Sequence, residues 1–476
     1  MPKAAASSGD SDLADLERFP APPAGRRRGA LILAALPPVA TSLALLLLYD
    51  LARHPAFTLL ALGLGAAGLW FSVRRLERLA DPPISLGPAI LFVALLIRLP
   101  LIALPPTLSD DALRYLWDGR VAAAGFNPYQ EPPDSPGLVP LRDELWNRLP
   151  HRQVPTVYPP LALSAFSIAA RFPVPMPRMP IWKLLACAAD FGACALLLAL
   201  ARRSGLPEAR VAWYAWNPLV VLEVAGMGHV DALGAVACIG AVWAITILPK
   251  RPVTAGMAAA AGILAKLAPL AALPMWARQS RRPWIFLLAA LGLSGLALAP
   301  VIASVGGLPP GLATYGVSWE WNGPLYEPLW RGLEALGAGP AAHAALDAAK
   351  TRTEGWTFWN RFYPYAYPRF FAKLLLAAVA LAAVAASFRE RDPILGTGRL
   401  FGRLMLTSAT LYPWYLLWVL PWAALREEKR WLLLAALMPL SYIPALFGVP
   451  LWPWVYLSIW APFALFSILG KRWSPS

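Results

Sequence analysis

PAILFVALLIRLPLIALPPTLSDDALRYLWDGRVAAA, residues 88–124, holds the decision about this chain. An apolar run over 88–105 is long enough to sit in a bilayer, and it is followed at once by two adjacent aspartates. The piece 111–124 carries a helical period. Leu113, Leu116, Trp117, Val121 and Ala124 fall on one stripe, and Asp111, Arg114, Tyr115 and Asp118 on the other face. The reading is a membrane span that hands over to a short amphipathic helix lying on the membrane surface.

The rest of the chain repeats the first half of that pattern. Of 476 residues 58% are hydrophobic and 14% charged, whereas a soluble domain carries about 25% charge. Apolar segments of roughly 16–22 residues recur along the whole length, which predicts an all-α, polytopic transmembrane bundle of about 12–14 membrane segments. A transmembrane barrel would show short alternating segments instead. Spans are expected at 31–49, 55–73, 88–105, 180–201, 211–226, 230–248, 283–303, 368–387, 398–411, 414–425, 430–447 and 452–470. The stretch 157–172 is short enough to be half-embedded, and 253–277 reads as two half-helices meeting at Lys266.

The net charge of +15 does not indicate nucleic acid. Basic residues cluster between apolar segments, at 26–28, 74–78, 202–203, 250–251, 278–282, 426–430 and 471–472. That is how cytoplasmic loops look under the positive-inside rule. With those clusters inside, the aspartate pair falls on the extracytoplasmic face. No cleavable leader is read at the start; the first apolar segment reads as a signal anchor. Cys187, Cys194 and Cys238 lie within apolar segments and give neither a disulfide framework nor a zinc spacing. The expected organisation is a disordered cytoplasmic segment 1–28, a hairpin 29–80, and a transmembrane module 81–303 that carries a first outer loop at 106–158. A second outer loop, 304–367, and C-terminal helices 368–476 follow.

Ionisable residues at membrane depth or at its rim are functional candidates. Asp110 and Asp111 fit an N-terminal cap, but a cap needs one carboxylate and leaves Arg114 and Tyr115 unexplained. In NPLVVLEVAGMGHVDAL, 217–233, Glu223, His229 and Asp231 stand where the chain turns between two apolar segments; a polar helix–helix turn is the plain alternative. Lys266 lies about a dozen residues into its segment, where it either snorkels or meets a phosphate. The second outer loop is dense in aromatics, with YGVSWEWNGPLYEPLW at 315–330 and WTFWNRFYPYAYPRF at 356–370. Both fit an interfacial belt or a carbohydrate-stacking surface, with Glu320, Asn322 or Glu327 available to bond sugar hydroxyls. Arg361, Arg369 and Lys373 are candidates to meet a lipid phosphate at the outer rim. LYPWYLLWVLP, 411–421, with Trp414, is ambiguous in the same way.

In combination, SDDALRYLWDGRVAAAGFNPY, then YPPL with Tyr158, then NP…E…GH-x-DAL, then YPWYLLW resemble the bacterial polyprenyl-phosphate-sugar-dependent glycosyltransferases of the C-type membrane fold. In pattern they are similar to mannosyltransferases that use polyprenyl-phosphate mannose. The resemblance covers about residues 88–425, and the hairpin before residue 80 departs from the family plan. It implies a multi-pass enzyme of the bacterial inner membrane, its site facing the periplasm or exterior. It also implies a polyprenyl-phosphate sugar donor and a glycan, glycolipid or protein acceptor. The family's D-E-x-R-Y pattern puts the general base three residues before the arginine, which here is Asp111. Position 112 is Ala and Asp110 precedes, so both aspartates stay in view. Arg114, Lys266, Arg361 and Arg369 would offset the donor phosphate. Tyr115, Asp118, Tyr158, Glu223, His229, Asp231, Trp319, Glu320 and Trp414 would bind substrate. No cofactor is implied with certainty; a divalent metal at His229 and Asp231 is left open. A secondary transporter, a membrane polysaccharide polymerase or ligase, and a non-enzymatic scaffold are the rival readings.

Overall fold

The computed structural model describes residues 24–79, 85–172 and 178–469. Most of the expected segment 1–28 and the basic pair 471–472 lie outside the described residues. No β-strand occurs among the described residues; the only ladder contacts are isolated bridges of Trp321 and Asn322 with Thr410.

Among the described residues, seven helices are long and apolar enough to cross a membrane: Arg28–Leu48, Pro55–Leu79, Arg178–Arg203, Pro283–Val305, Pro368–Ser387, Lys429–Phe447 and Leu451–Leu469. Four shorter apolar helices accompany them: Gly87–Ala103, Pro160–Arg171, Asp231–Ile247 and Pro252–Ala265. Helices α1 (Ala24–Leu48) and α2 (Pro55–Leu79) form the N-terminal hairpin. Helix α3 (Gly87–Arg98) leads to α4 (Asp111–Ala123), which packs on α5 (Pro160–Arg171). Helix α6 (Arg178–Arg203) lies against α7 (Asp231–Ile247), and α7 pairs with α8 (Pro252–Ala265).

Three expected spans are not continuous helices. Residues 211–226 are a chain of short turns around Pro218, ending in a π-turn at Leu222–Gly226, and all of them are buried. The 414–425 region is a 3₁₀ piece, Pro413–Trp418, followed by Leu420–Arg426, with prolines at both starts. The 398–411 span is the tail of Pro393–Thr407, which carries Arg399 and Arg403. Broken backbone at this depth is tolerated because neighbouring helices, not lipid, satisfy its polar groups. The break at Lys266 is as the sequence predicts: α8 stops at Ala265, Lys266 is extended, and a 3₁₀ turn begins at Ala268 before Pro269.

Helix α4 differs from expectation. It does not lay an apolar face into lipid. Leu113, Trp117 and Val121 bury against Leu138 and Leu149 of the first outer loop, while Ala112, Tyr115 and Leu116 join the main core. Its polar face turns inward because Arg114 has partners there: Asp118 Oδ1 at 3.3 Å, His151 O at 3.1 Å and Val154 O at 2.9 Å. Gly119 lets α4 touch the backbone of α5, since a β-carbon there would lie 2.4 Å from the Phe166 carbonyl.

Three of the basic clusters, 74–78, 202–203 and 426–430, meet at one end of the bundle. Arg74 pairs with Glu77 and Glu427, Arg202 with Glu208, and Arg210 approaches Glu427. The loop between α1 and α2 lies at the other end, where Ala52 N donates to Thr107. Between them a fully buried Arg98 bonds Asp190 Oδ2 at 2.7 Å and the carbonyls of Ala94 and Ala215, and Tyr214 donates to Asp190 Oδ1. This network ties α3, α6 and the broken segment together, each buried polar group meeting a partner.

Candidate active site

The start of α4, the turn before α7, the break at Lys266 and the segments 106–158 and 304–367 line a cavity of about 500 Å³. Asp110, Asp111, Arg114, Tyr115 and Tyr158 line it from the first loop region, and Asp231 and Lys266 from the core. Trp319 and Trp414 line it too, joined by Tyr315, Trp321, Tyr412 and Tyr415. One wall is therefore charged and the other aromatic.

Asp110 occupies the N-cap position without a side-chain cap bond; Ser109 Oγ instead accepts from Asp111 N at 3.3 Å. Capping therefore does not explain the pair. Asp110 is exposed, whereas Asp111 is 39% exposed into the cavity and its Oδ2 lies 3.8 Å from His229 Nδ1. Withdrawal from water is the largest influence on Asp111 and lifts its pKa to about 6; Lys266 opposes the rise, while Asp231 and Asp110 add to it. A carboxylate tuned there is ionised at neutral pH yet basic enough to take a proton.

The residues behind Asp111 come from a turn more than a hundred positions away. The π-turn adds a residue to the helical ring, which swings Glu223 inward. Gly228, at φ +78°, then reverses the chain and brings His229 over α4. Glu223 and His229 are fully buried. They do not line the cavity but lie behind Asp111. Asp231 opens α7, and its Oδ1 accepts from Lys266 Nζ and from Trp418 Nε1, both at 2.6 Å. Lys266 reaches it because the helix is interrupted there, and its ammonium also lies 4.1 Å from the Tyr415 ring centre.

The aromatic wall is a ladder. Trp321 stacks on Tyr412, Tyr412 on Trp414 at 4.6 Å and 3°, and Trp414 on His229 at 3.8 Å and 13°. Opposite, Trp319 lies between His151 at 4.7 Å and Tyr315 at 5.3 Å, and Tyr315 and Tyr415 share a hydroxyl–hydroxyl bond. Tyr115 stacks on Phe166 at 4.7 Å and meets Tyr158 edge-on, so α4, α5 and the loop hold one another.

Other residues singled out in the sequence sit elsewhere. Asp118 lies behind Arg114 as its buried partner, outside the cavity. Glu320 is held by Arg369 at 2.7 Å and Lys373 at 2.8 Å, and Arg369 lies over Trp330. Arg361 packs on Phe358. None of Glu320, Arg361 and Arg369 lines the cavity; the aromatic segment 356–370 runs toward the helix Pro368–Ser387 rather than over the site. The metal left open at His229 and Asp231 finds no fit. Among the described residues no three His, Cys, Asp or Glu side chains form a metal-holding group, and the Lys266 ammonium already neutralises Asp231. Tyr315 and Trp418 lie in the aromatic stretches 315–330 and 411–421, which were their signal in the sequence, whereas Tyr442 has no such signal around it.

No curated protein matches this chain, and no solved structure does. One family model matches, that of the alpha-(1->6)-mannopyranosyltransferase N-terminal domain, over residues 27–280. The match contains Asp111, Glu223, His229, Asp231 and Lys266, while the aromatic wall is built from residues beyond it. A polytopic bundle with a charged and aromatic cavity, matched over more than half its length, thus belongs to the alpha-(1->6)-mannopyranosyltransferase family and is a membrane-embedded mannosyltransferase.

Proposed function

We propose that the chain transfers mannose from a polyprenyl-phosphate donor to a glycan, glycolipid or protein hydroxyl, on the extracytoplasmic face of a bacterial inner membrane, with Asp111 as general base. The observation that carries this reading is the placement of Asp111. It is a half-exposed carboxylate at the mouth of a cavity, with its titration lifted by burial and a lysine among the groups around it. The acceptor hydroxyl gives its proton to Asp111 as its oxygen attacks the anomeric carbon. The phosphate leaves from the opposite face with the bonding electron pair. One displacement inverts the centre, so a β-linked donor gives an α-linked product.

Charge developing on the leaving phosphate needs a cation aimed at it. Lys266 is the best placed, partly exposed to the cavity and held by Asp231 and Tyr415. Arg114 lines the same space, but its guanidinium is engaged by Asp118 and two loop carbonyls, so its part is to hold the loop over α4. Trp319 and Tyr158 offer apolar faces for a pyranose ring on the acceptor side. The gathering of basic clusters at the far end of the bundle supports the extracytoplasmic placement, since such clusters stay in the cytoplasm.

The test is transfer of radiolabelled mannose from synthetic polyprenyl-phosphate mannose by the purified protein, beside folded Asp110→Asn and Asp111→Asn. Transfer lost in Asp111→Asn and kept in Asp110→Asn is the expected outcome. Transfer that survives Asp111→Asn removes the base assignment, and no transfer from this donor removes the donor.

A further inference from the structure

A base that has taken a proton inside an occupied cavity needs somewhere to send it. With donor and acceptor bound, the cavity side of Asp111 is filled by substrate. Its other side faces His229. The imidazole is fully buried and clamped flat against Trp414. Its Nδ1 edge meets Tyr115 OH at 3.5 Å and Asp111 Oδ2 at 3.8 Å. Its Nε2 edge meets Glu223 Oε2 at 3.3 Å, and neither of those two atoms has a hydrogen-bond partner. The other oxygen of Glu223 accepts from Tyr442 OH at 2.8 Å, and Tyr442 lines the cavity. Asp111, His229, Glu223 and Tyr442 therefore make a chain of exchangeable sites whose two ends both touch the cavity.

We propose that His229 is a positioning residue that receives the proton from Asp111, with Glu223 and Tyr442 fixing its orientation and tautomer. The idea rests on Asp111 as the base. In the step, the acceptor O–H bond breaks while that oxygen bonds to the anomeric carbon. The bond from that carbon to the phosphate oxygen breaks, and the electron pair leaves with the phosphate. The proton goes to the Asp111 carboxylate and on to Nδ1 of neutral His229 as the ring passes its Nε2 proton to the facing Glu223 Oε2, so the buried imidazole stays neutral. Asp111 is thereby ionised again, and the proton returns through it to water when the products leave. The 3.8 Å gap is closed by a turn of the Asp111 carboxyl, which has room in the cavity; catalytic contacts of this kind tighten when substrate binds. The surroundings fit the role. The π-turn aims Glu223, and Trp182 Nε1 donates to Gly228 O at 2.6 Å, which pins the reversal that presents His229.

The experiment uses the full-length protein in nanodiscs, with synthetic polyprenyl-phosphate mannose and a mannoside acceptor. Variants His229→Gln, Tyr442→Phe and Asp111→Asn are compared for kcat, KM and the solvent deuterium isotope effect. His229→Gln is expected to lower kcat by about 10²-fold with KM for the donor unchanged. Tyr442→Phe, which removes one oxygen and keeps the ring, is expected to lower kcat by about tenfold and to change the isotope effect. A folded His229→Gln with kcat within about twofold of wild type overturns the proposal. If His229→Gln does not fold, an unchanged kcat and isotope effect in Tyr442→Phe overturns it instead. An inactive Asp111→Asn beside a fully active His229→Gln removes only the relay. An active Asp111→Asn removes the base and the relay with it.

Discussion

Replacing Gly119 by Ala should misplace the proposed base without touching it. A β-carbon at position 119 would lie 2.4 Å from both the carbonyl carbon and oxygen of Phe166, and 2.8 Å from its Cβ. Carbon contacts are comfortable at about 3.5–4.0 Å, so α4 and α5 must part by roughly 1 Å. The obstacle is backbone inside a helix and cannot swing away. Overpacking of this kind costs about 1–3 kcal/mol, offset in part by the roughly 1 kcal/mol that Ala gains over Gly in a helix. The net expectation is a loss of stability of about 0–2 kcal/mol. The larger effect falls on chemistry. Asp111 begins the same helix, and a shift of about 1 Å in a reacting group can lower a rate about 10²-fold. The assay is mannosyl transfer at saturating donor, with thermal unfolding of the same sample. Gly192→Ala is the control, because its β-carbon would meet only Val236 at 3.6 Å, an ordinary contact. Gly119→Ala with wild-type transfer and stability, or Gly192→Ala with an equal loss, would refute the reasoning.

Four further expectations follow from the same geometry. Asp111 must be ionised to act as base, and burial lifts its pKa from 3.8 to about 6, so transfer should rise as pH climbs through about 6 and level off above it; a profile already flat at pH 5 contradicts the assignment. The same raised value means that Asp111 favours the folded state on the acid side, a contribution lost as pH rises through about 6. Lys266→Met leaves Asp231 with only Trp418 as donor and should raise KM for the donor at least about tenfold, a loss of roughly 1.4 kcal/mol in binding; an unchanged donor KM would remove Lys266 from the phosphate site. Arg98→Met strips the cation from a fully buried Asp190, and breaking such a pair costs about 3–5 kcal/mol; thermal unfolding should drop sharply while KM in the surviving folded protein stays put.

Much of the architecture was written along the chain. Spans of lipid-matched length, the basic clusters between them, the start of a helix at Asp111 and the break at Lys266 all depend on neighbours within a few turns. Local hydropathy and the positions of proline and glycine therefore revealed them. The sequence also pointed to the 217–233 turn, because buried Glu, His and Asp are expensive without partners. What it could not do was say which partners. Asp231 meets Lys266 and Trp418, Glu223 meets Tyr442, and His229 stacks on Trp414. Each contact joins segments 35 to 219 positions apart.

The same limit explains the residues that went elsewhere. Arg369 and Glu320 neutralise each other at a distance from the cavity, and an unpaired charge in a sequence looks the same whether it will meet a substrate or a side chain. Helix α4 is the sharpest case. Its two faces were legible, but not which would be buried. Amphipathicity fixes a contrast between faces, whereas burial depends on what covers them. Here the first outer loop covers the apolar face and supplies carbonyls to Arg114. The sequence by itself determined a polytopic helical membrane protein with a helix that starts on a pair of aspartates. Only the tertiary structure decided that this helix start is one wall of a cavity, because long-range pairing of buried polar groups is settled by packing and not by period.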